Sequence, residues 1–191
     1  MRCLAFAVAT LLAGCAAAPE GPPLPRFAIP NAGFEQGGGP GSDCPRPWFC
    51  VIHAGATDGF RFFFDEKRPP EGKRAFCMER LTEEPWAYVS ESIPAEPLRR
   101  ATVRFSIAVR AEGLTGPGAG PILVLHGMQQ NALDRQSIRV LATDGWQRLH
   151  VDARVPANAR LVEFGLQLEG GGRVCIDDAR LEILSAGGAP L

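Results

Sequence analysis

Two groups of side chains carry most of the chemistry this sequence could perform. In Trp86-Ala87-Tyr88-Val89-Ser90-Glu91-Ser92-Ile93, a period of two sets Val89 and Ile93 on one side and Trp86, Tyr88, Ser90 and Ser92 on the other. Flat aromatic surface on an exposed sheet face, with hydroxyls beside it, is where a pyranose can stack. Trp146 and His150 share a parity opposite Leu149 and Val151, so they are candidates to join that platform. The structural alternative is that such rings cover a sheet or plug a sandwich end, as Trp48 and Trp146 look placed to do. The second group is the acid pair Asp177-Asp178. Cys175, Ala179, Leu181 and Ile183 share one parity and Val174 and Ile176 the other, so a single core can take both sets only if the strand bulges near the acids. Paired carboxylates there are costly unless a cation or several donors neutralise them; backbone N–H groups or Arg180 would serve without a metal.

The remaining titratable groups do not compose a reaction centre. His53, His126 and His150 are scattered, with no HExxH spacing and no metal-ligand pairing. A G-x-S-x-G elbow is also lacking. Asp65 with Glu66 and Glu83 with Glu84 lie in turn-like polar stretches and read as solvated, although a glycosidase would need only two carboxyls facing each other across a cleft. The expectation is a protein that is not an enzyme, with a hydrolase as the least favoured reading.

The elements that must position these residues are strands. Val103, Phe105, Ile107 and Val109 alternate with polar or small neighbours, as do Val162, Phe164, Leu166 and Leu168, the pair Leu149 and Val151, and more crudely Phe60, Phe62 and Phe64. Ile122 to Leu125 is apolar on both faces, as in a strand covered on both sides. Turn clusters separate these runs at Arg68 to Gly72, Gly113 to Pro121, Thr143 to Gly145 and Glu169 to Gly172. No segment has a convincing helical period. Many short strands between glycine and proline turns imply an all-β sandwich or barrel. The 20 basic and 21 acidic residues nearly balance, which argues against a nucleic-acid partner.

The chain opens with Arg2, an apolar run from Leu4 to Leu12, and Leu12-Ala13-Gly14-Cys15. The run is too short for the roughly 20 residues that span a bilayer, and these residues resemble the signal and lipobox of a bacterial lipoprotein. The resemblance implies cleavage after residue 14, acylation of Cys15 and tethering to a membrane; Ala16, where an Asp would retain the protein inside, resembles sorting to the outer membrane, facing the periplasm or the surface. Residues 15–26, small and proline-rich, read as a linker. Residues 27–184 then form one domain of ordinary size, and 185–191 a flexible tail. Export would leave Cys44, Cys50, Cys77 and Cys175, an even number in an oxidising compartment. Of their three possible pairings, Cys44 with Cys50 and Cys77 with Cys175 are favoured, the second tying an early strand to the last; free buried thiols are the alternative.

Asn31-Ala32-Gly33-Phe34-Glu35 resembles the opening strand of jelly-roll carbohydrate-binding modules with a galactose-binding-like fold, and Val174 to Glu182 resembles their closing strand. Between them, Asp144 to Arg148, Val155 to Ala159 and Phe164 to Gly170 resemble the last third of such modules. The resemblance implies a jelly-roll β-sandwich of two antiparallel sheets, whose partner is a glycan or other cell-envelope ligand. It also implies a structural calcium between Glu35 and Asp178, with Asp177 as the alternate ligand, as suits an oxygen-seeking cation. A structural or adaptor lipoprotein that binds an envelope protein is the second reading.

Overall fold

The computed structural model describes residues 25–39 and 42–185. The signal segment 1–14, Cys15, most of the linker and residues 186–191 lie outside the described residues. Thirteen strands follow in order: β1 (Arg26–Phe27), β2 (Gly37–Gly39), β3 (Ser42–Pro45), β4 (Phe49–Ile52), β5 (Phe60–Asp65), β6 (Ala75–Arg80), β7 (Trp86–Pro94), β8 (Thr102–Glu112), β9 (Gly118–His126), β10 (Ala132–Ser137), β11 (Gln147–Arg154), β12 (Leu161–Glu169) and β13 (Arg173–Ser185). The described helical turns are short 3-10 segments, and none is long and apolar enough to cross a membrane.

Two antiparallel sheets face each other. One runs β11-β8-β13-β6-β5, with β1 pairing β13; the other runs β10-β9-β12-β7-β4. The alternation seen in the sequence is the core. Val103, Phe105, Ile107 and Val109 of β8 and Val162, Phe164, Leu166 and Leu168 of β12 are all fully buried. This is the all-β sandwich that the strand pattern implied, and the jelly roll that the resemblance to carbohydrate-binding modules implied. The domain begins slightly earlier than expected, because Arg26, assigned to the linker, already pairs with Glu182, and the amide of Ile183 donates to the Pro25 carbonyl at 2.8 Å. At the other end Ser185 still belongs to β13.

The parity conflict in the closing strand is resolved by a bulge. The register of β13 against β8 shifts between Asp177 and Arg180, and Asp178 adopts φ 47°. Val174 and Ile176 point inward before the bulge, and Ala179 and Leu181 after it. One extra residue thus lets one strand serve one core. Trp48, buried at the sandwich end, packs on Phe34 at 4.8 Å and Phe164 at 5.9 Å between ring centres, a structural position as expected.

Both favoured disulfides are formed, Cys44–Cys50 and Cys77–Cys175. Cys77 and Cys175 are direct partners on β6 and β13. They lie on the outward side of the six-stranded sheet, since their neighbours Phe76, Met78, Val174 and Ile176 all belong to the core.

Candidate functional site

The outward face of the five-stranded sheet is a groove. Register alone places its rows: Glu163 of β12 lies opposite Val124 of β9 and Ser92 of β7, and Val124 lies opposite Arg135 of β10. Ile122 and Val124 are buried although they point away from the core. They form an apolar floor, and this explains why that strand reads as apolar on both faces. Gly165 keeps the middle of the floor flat, because a Cβ there would come within 2.0 Å of the Val89 carbonyl oxygen. Two adjoining hollows open along the groove, of about 640 and 430 Å³, and they share Tyr88, His126 and Glu163.

Trp86 and Tyr88 stand side by side on β7, their ring centres 5.7 Å apart and their planes within 24°. Alternate residues of one strand face the same way, so the two rings make a continuous flat wall. His53, held by Glu84 at 3.1 Å, packs edge-on against Trp86 at 5.4 Å and props it. Burial, and then the negative charge of Glu163, push the Tyr88 hydroxyl above its usual pKa, with Arg135 opposing. Tyr88 therefore stays a neutral donor and acceptor over the whole physiological range.

Polar groups line the rest of the groove. Glu163 accepts from the Ser90 hydroxyl at 2.8 Å and meets His126 Nε2 at 2.7 Å. Gln167 Oε1 accepts from Arg135 at 2.5 Å and Arg139 at 2.9 Å, while its amide nitrogen donates to Glu169 at 2.9 Å. Burial pulls the Arg139 pKa down, with the charge of Glu169 opposing. At the lip of the smaller hollow Glu91 is 8% exposed; one oxygen accepts from the Ser92 amide at 2.7 Å and the other has no hydrogen-bond partner. Ser90, Glu163 and His126 are the residue types of a hydrolase triad, but their order is wrong for one. Here the serine hydroxyl donates to the Glu163 carboxylate, whereas in such a triad it donates to the imidazole.

Of the residues singled out in the sequence, Trp86 and Tyr88 are thus brought together in the groove. Trp146 and His150 are not. His150 lies on β11, which pairs with β8 in the opposite sheet, and Trp146 precedes that strand, donating to the Arg68 carbonyl at 2.9 Å under the Arg110 guanidinium. Parity identified the correct face of their strand but could not say which sheet the strand joins. The side chains of His126, Arg135, Arg139, Glu163 and Gln167 were not picked out as site residues. His126 ends β9, Arg135 lies on β10 with Arg139 just beyond it, and Glu163 and Gln167 lie on β12, so their meeting depends on pairing between β9, β10 and β12.

The acids proposed to hold calcium are arranged differently from the expectation. Both oxygens of Asp178 are engaged by guanidinium groups, from Arg180 and Arg148. Glu35 Oε1 accepts from the Lys73 and Arg74 amides at 2.7 and 3.2 Å. A cation between Glu35 and Asp178 would have to displace these partners, so that pair does not fit one. Asp177 is different. It is fully buried and accepts only backbone N–H groups, of Glu71 at 3.0 Å and Asp178 at 2.7 Å. Burial pushes its carboxyl up to about 6, the two amides opposing and the charges of Asp178 and Glu71 adding. Among the described residues, the one His, Cys, Asp and Glu cluster tight enough for a metal is Asp65 with Cys77 and Cys175, and its sulfurs are already joined.

No family model matches the chain and no curated protein matches it. Solved structures do share its fold. The enzymatically active domain of bacteriophage CBA120 tailspike protein 4 superposes with a TM-score of 0.63 at 13% identity, over 82% of this chain and 21% of that one; this chain therefore spans about a fifth of that protein. The CBM22-1 xylan-binding domain of Paenibacillus barcinonensis Xyn10C gives 0.55 at 13% identity over 81% and 93% of the two chains. TmCBM61, solved with β-1,4-galactotriose, gives 0.52 at 15% identity over 81% and 97%. The chain has the jelly-roll β-sandwich fold of carbohydrate-binding modules.

Proposed function

We propose that this protein is a non-catalytic binding module that lays a glycan chain along the groove of its five-stranded sheet, presented at a bacterial envelope by a lipid on Cys15. One observation carries the reading: Trp86 and Tyr88 form a flat wall, 5.7 Å between ring centres, above an apolar floor and beside Glu163, His126 and Gln167. Sugars expose apolar C–H faces and hydroxyl edges, and this surface offers the counterpart of both. Two proteins of the same fold, a xylan-binding domain and a module solved with a galactotriose, support it. Trp86→Ala is expected to abolish retention on a polysaccharide that retains the parent, with the melting curve unchanged. Retention of the parent on no glycan of a broad panel would overturn the reading, and in-cell crosslinking to one dominant envelope protein would then favour the adaptor alternative.

Anchoring is tested separately. Labelled fatty acid should be incorporated into the full chain and not into Cys15→Ser, which should also leave the outer-membrane fraction. For calcium we propose Asp177 as the ligand, since it alone of the three acids has a buried charge with no cation beside it. Calcium should raise the melting temperature and a chelator reverse the rise; no shift in either direction would dismiss the ion.

A further inference from the structure

The larger hollow has two distinct halves. On one side stand Trp86 and Tyr88; on the other, the edge strand β10 and the segment just after it bring in Arg135 and Arg139. Both guanidinium groups bond to the same neutral atom, Gln167 Oε1, at 2.5 and 2.9 Å. The orientation of that amide is fixed by its other end, which donates to Glu169 at 2.9 Å. Gln167 is only 5% exposed, so the acceptor is built into the floor, while Arg135 itself is exposed.

The two guanidinium groups are not equally partnered. Arg139 has a carboxylate, Glu169, at 3.6 Å. Arg135 has no carboxylate within ion-pair distance among the described residues; its side chain meets only the Gln167 amide oxygen. The nearest carboxylate along its row is Glu163, two strands away, and both oxygens of that group are occupied by Ser90 and His126. Asp134, its neighbour in sequence, is held by the Gln136 amide at 2.9 Å and by the Arg135 backbone N–H at 2.8 Å. Two guanidinium groups thus converge on one neutral acceptor: Glu163 and Glu169 balance the formal charge of the hollow as a whole, but Arg135 itself has no acid at ion-pair distance among the described residues and stands across from the aromatic wall.

We infer that the groove selects acidic glycans, seating a uronate residue so that its ring stacks on Trp86 and Tyr88 while its carboxylate is held by Arg135 and Arg139. The inference rests on the glycan-binding reading and adds a substrate class to it. A planar guanidinium matches a carboxylate edge to edge through paired N–H donors. The ligand would supply the anionic partner that Arg135 lacks, which a neutral sugar would not.

The test compares polygalacturonate with the same polymer after reduction of its carboxyls, and with a sulfated galactan, by affinity electrophoresis and calorimetry. The parent protein should bind the uronate polymer roughly tenfold or more tightly than the reduced one, the size of a single charge-assisted contact, and this preference should shrink as salt rises. Arg135→Gln should bring the ratio of the two affinities to about one while leaving the melting curve intact; Arg135→Lys, which keeps the charge but not the fork, should restore part of the ratio. Equal binding of both polymers, or an unchanged preference in Arg135→Gln, overturns the acidic selectivity and leaves the glycan reading standing if Trp86→Ala still loses binding. Tighter binding of the sulfated galactan overturns the carboxylate assignment. Binding of no polymer by the parent overturns both.

Discussion

The two outward faces of this sandwich handle charge in opposite ways. On the six-stranded sheet six arginines meet acids: Arg61 and Arg173 meet Glu79, Arg110 meets Asp65, Arg104 meets Asp152, and Arg148 and Arg180 meet Asp178. Aromatic rings there are capped by guanidinium groups, as with Phe63 under Arg61 and Trp146 under Arg110. On the five-stranded sheet no guanidinium caps Trp86 or Tyr88 among the described residues, and Arg135 has only an amide. A face that satisfies itself contributes to stability and solubility; a face that leaves rings and a charge unmatched is prepared for a ligand. Stability and binding should therefore be separable by mutation.

The largest test of that separation is the disulfide across β6 and β13. The Cys77–Cys175 bridge closes a loop of 98 residues, worth about 4 to 5 kcal/mol in the loop-entropy model. Replacing both cysteines with serine should lower the melting temperature by roughly 10 °C or more, yet leave glycan affinity of the folded protein unchanged, because the pair lies on the outward side of the opposite sheet. A parallel loss of affinity would show that the faces are coupled.

Next in size is Asp177. Its proton is held more tightly in the folded protein, up to about 6, than in the unfolded chain near 3.8. Between those values the folded state binds more protons, so stability rises as pH falls from about 6 toward 4 and is flat above 6. The span amounts to at most about 3 kcal/mol. Asp65, Glu79 and Asp152 behave oppositely, their carboxyls held down despite burial by arginine partners, and they subtract stability only at lower pH. In chelator, urea melts of the parent should show the gain between pH 6 and 4, and Asp177→Asn should flatten it. A parent curve without that gain would mean that the buried acid is already neutralised by something else.

The fold was legible wherever one face of a strand is buried, because burial imposes a period of two on the side chains. Val103 to Val109 and Val162 to Leu168 gave the sheets, and the clash of parities around Asp177-Asp178 gave the bulge. The double-sided apolar run at Ile122 to Leu125 marked the groove floor, though not its purpose. What stayed hidden follows from pairing at long range. Ala132 to Ser137 has no alternation, since an edge strand with both faces partly wet needs none, and so Arg135 could not be placed beside Trp86. His126 looked solitary because Glu163 lies 37 residues away in sequence. Trp146 and His150 were put on the wrong platform for the same reason: parity tells inside from outside but not one sheet from the other.

On the groove side, Trp86→Ala should weaken glycan binding by about tenfold or more, near 1.4 kcal/mol, as expected for removing one stacked ring, enough to lose retention on a polysaccharide while the melting curve stays unchanged. His53→Ala, which removes only the prop behind that ring, should cost less, and a His53 effect equal to that of Trp86 would place His53 in contact with the ligand.

The smallest effect should come from the self-satisfied face. Arg104 and Asp152 are joined by bonds of 2.8 Å and pull each other's pKa apart, but both side chains are about one-third exposed. Water and salt screen such a pair, so Arg104→Ala should cost no more than about 1 kcal/mol of stability and nothing in glycan affinity. Arg135→Ala inverts both outcomes, because that cation has no anion to lose when the protein is alone and gains one only when ligand arrives: stability should hold while acidic-glycan affinity falls. If the two variants behave alike, the charge difference between the faces is incidental, and the groove's selectivity must come from its rings alone.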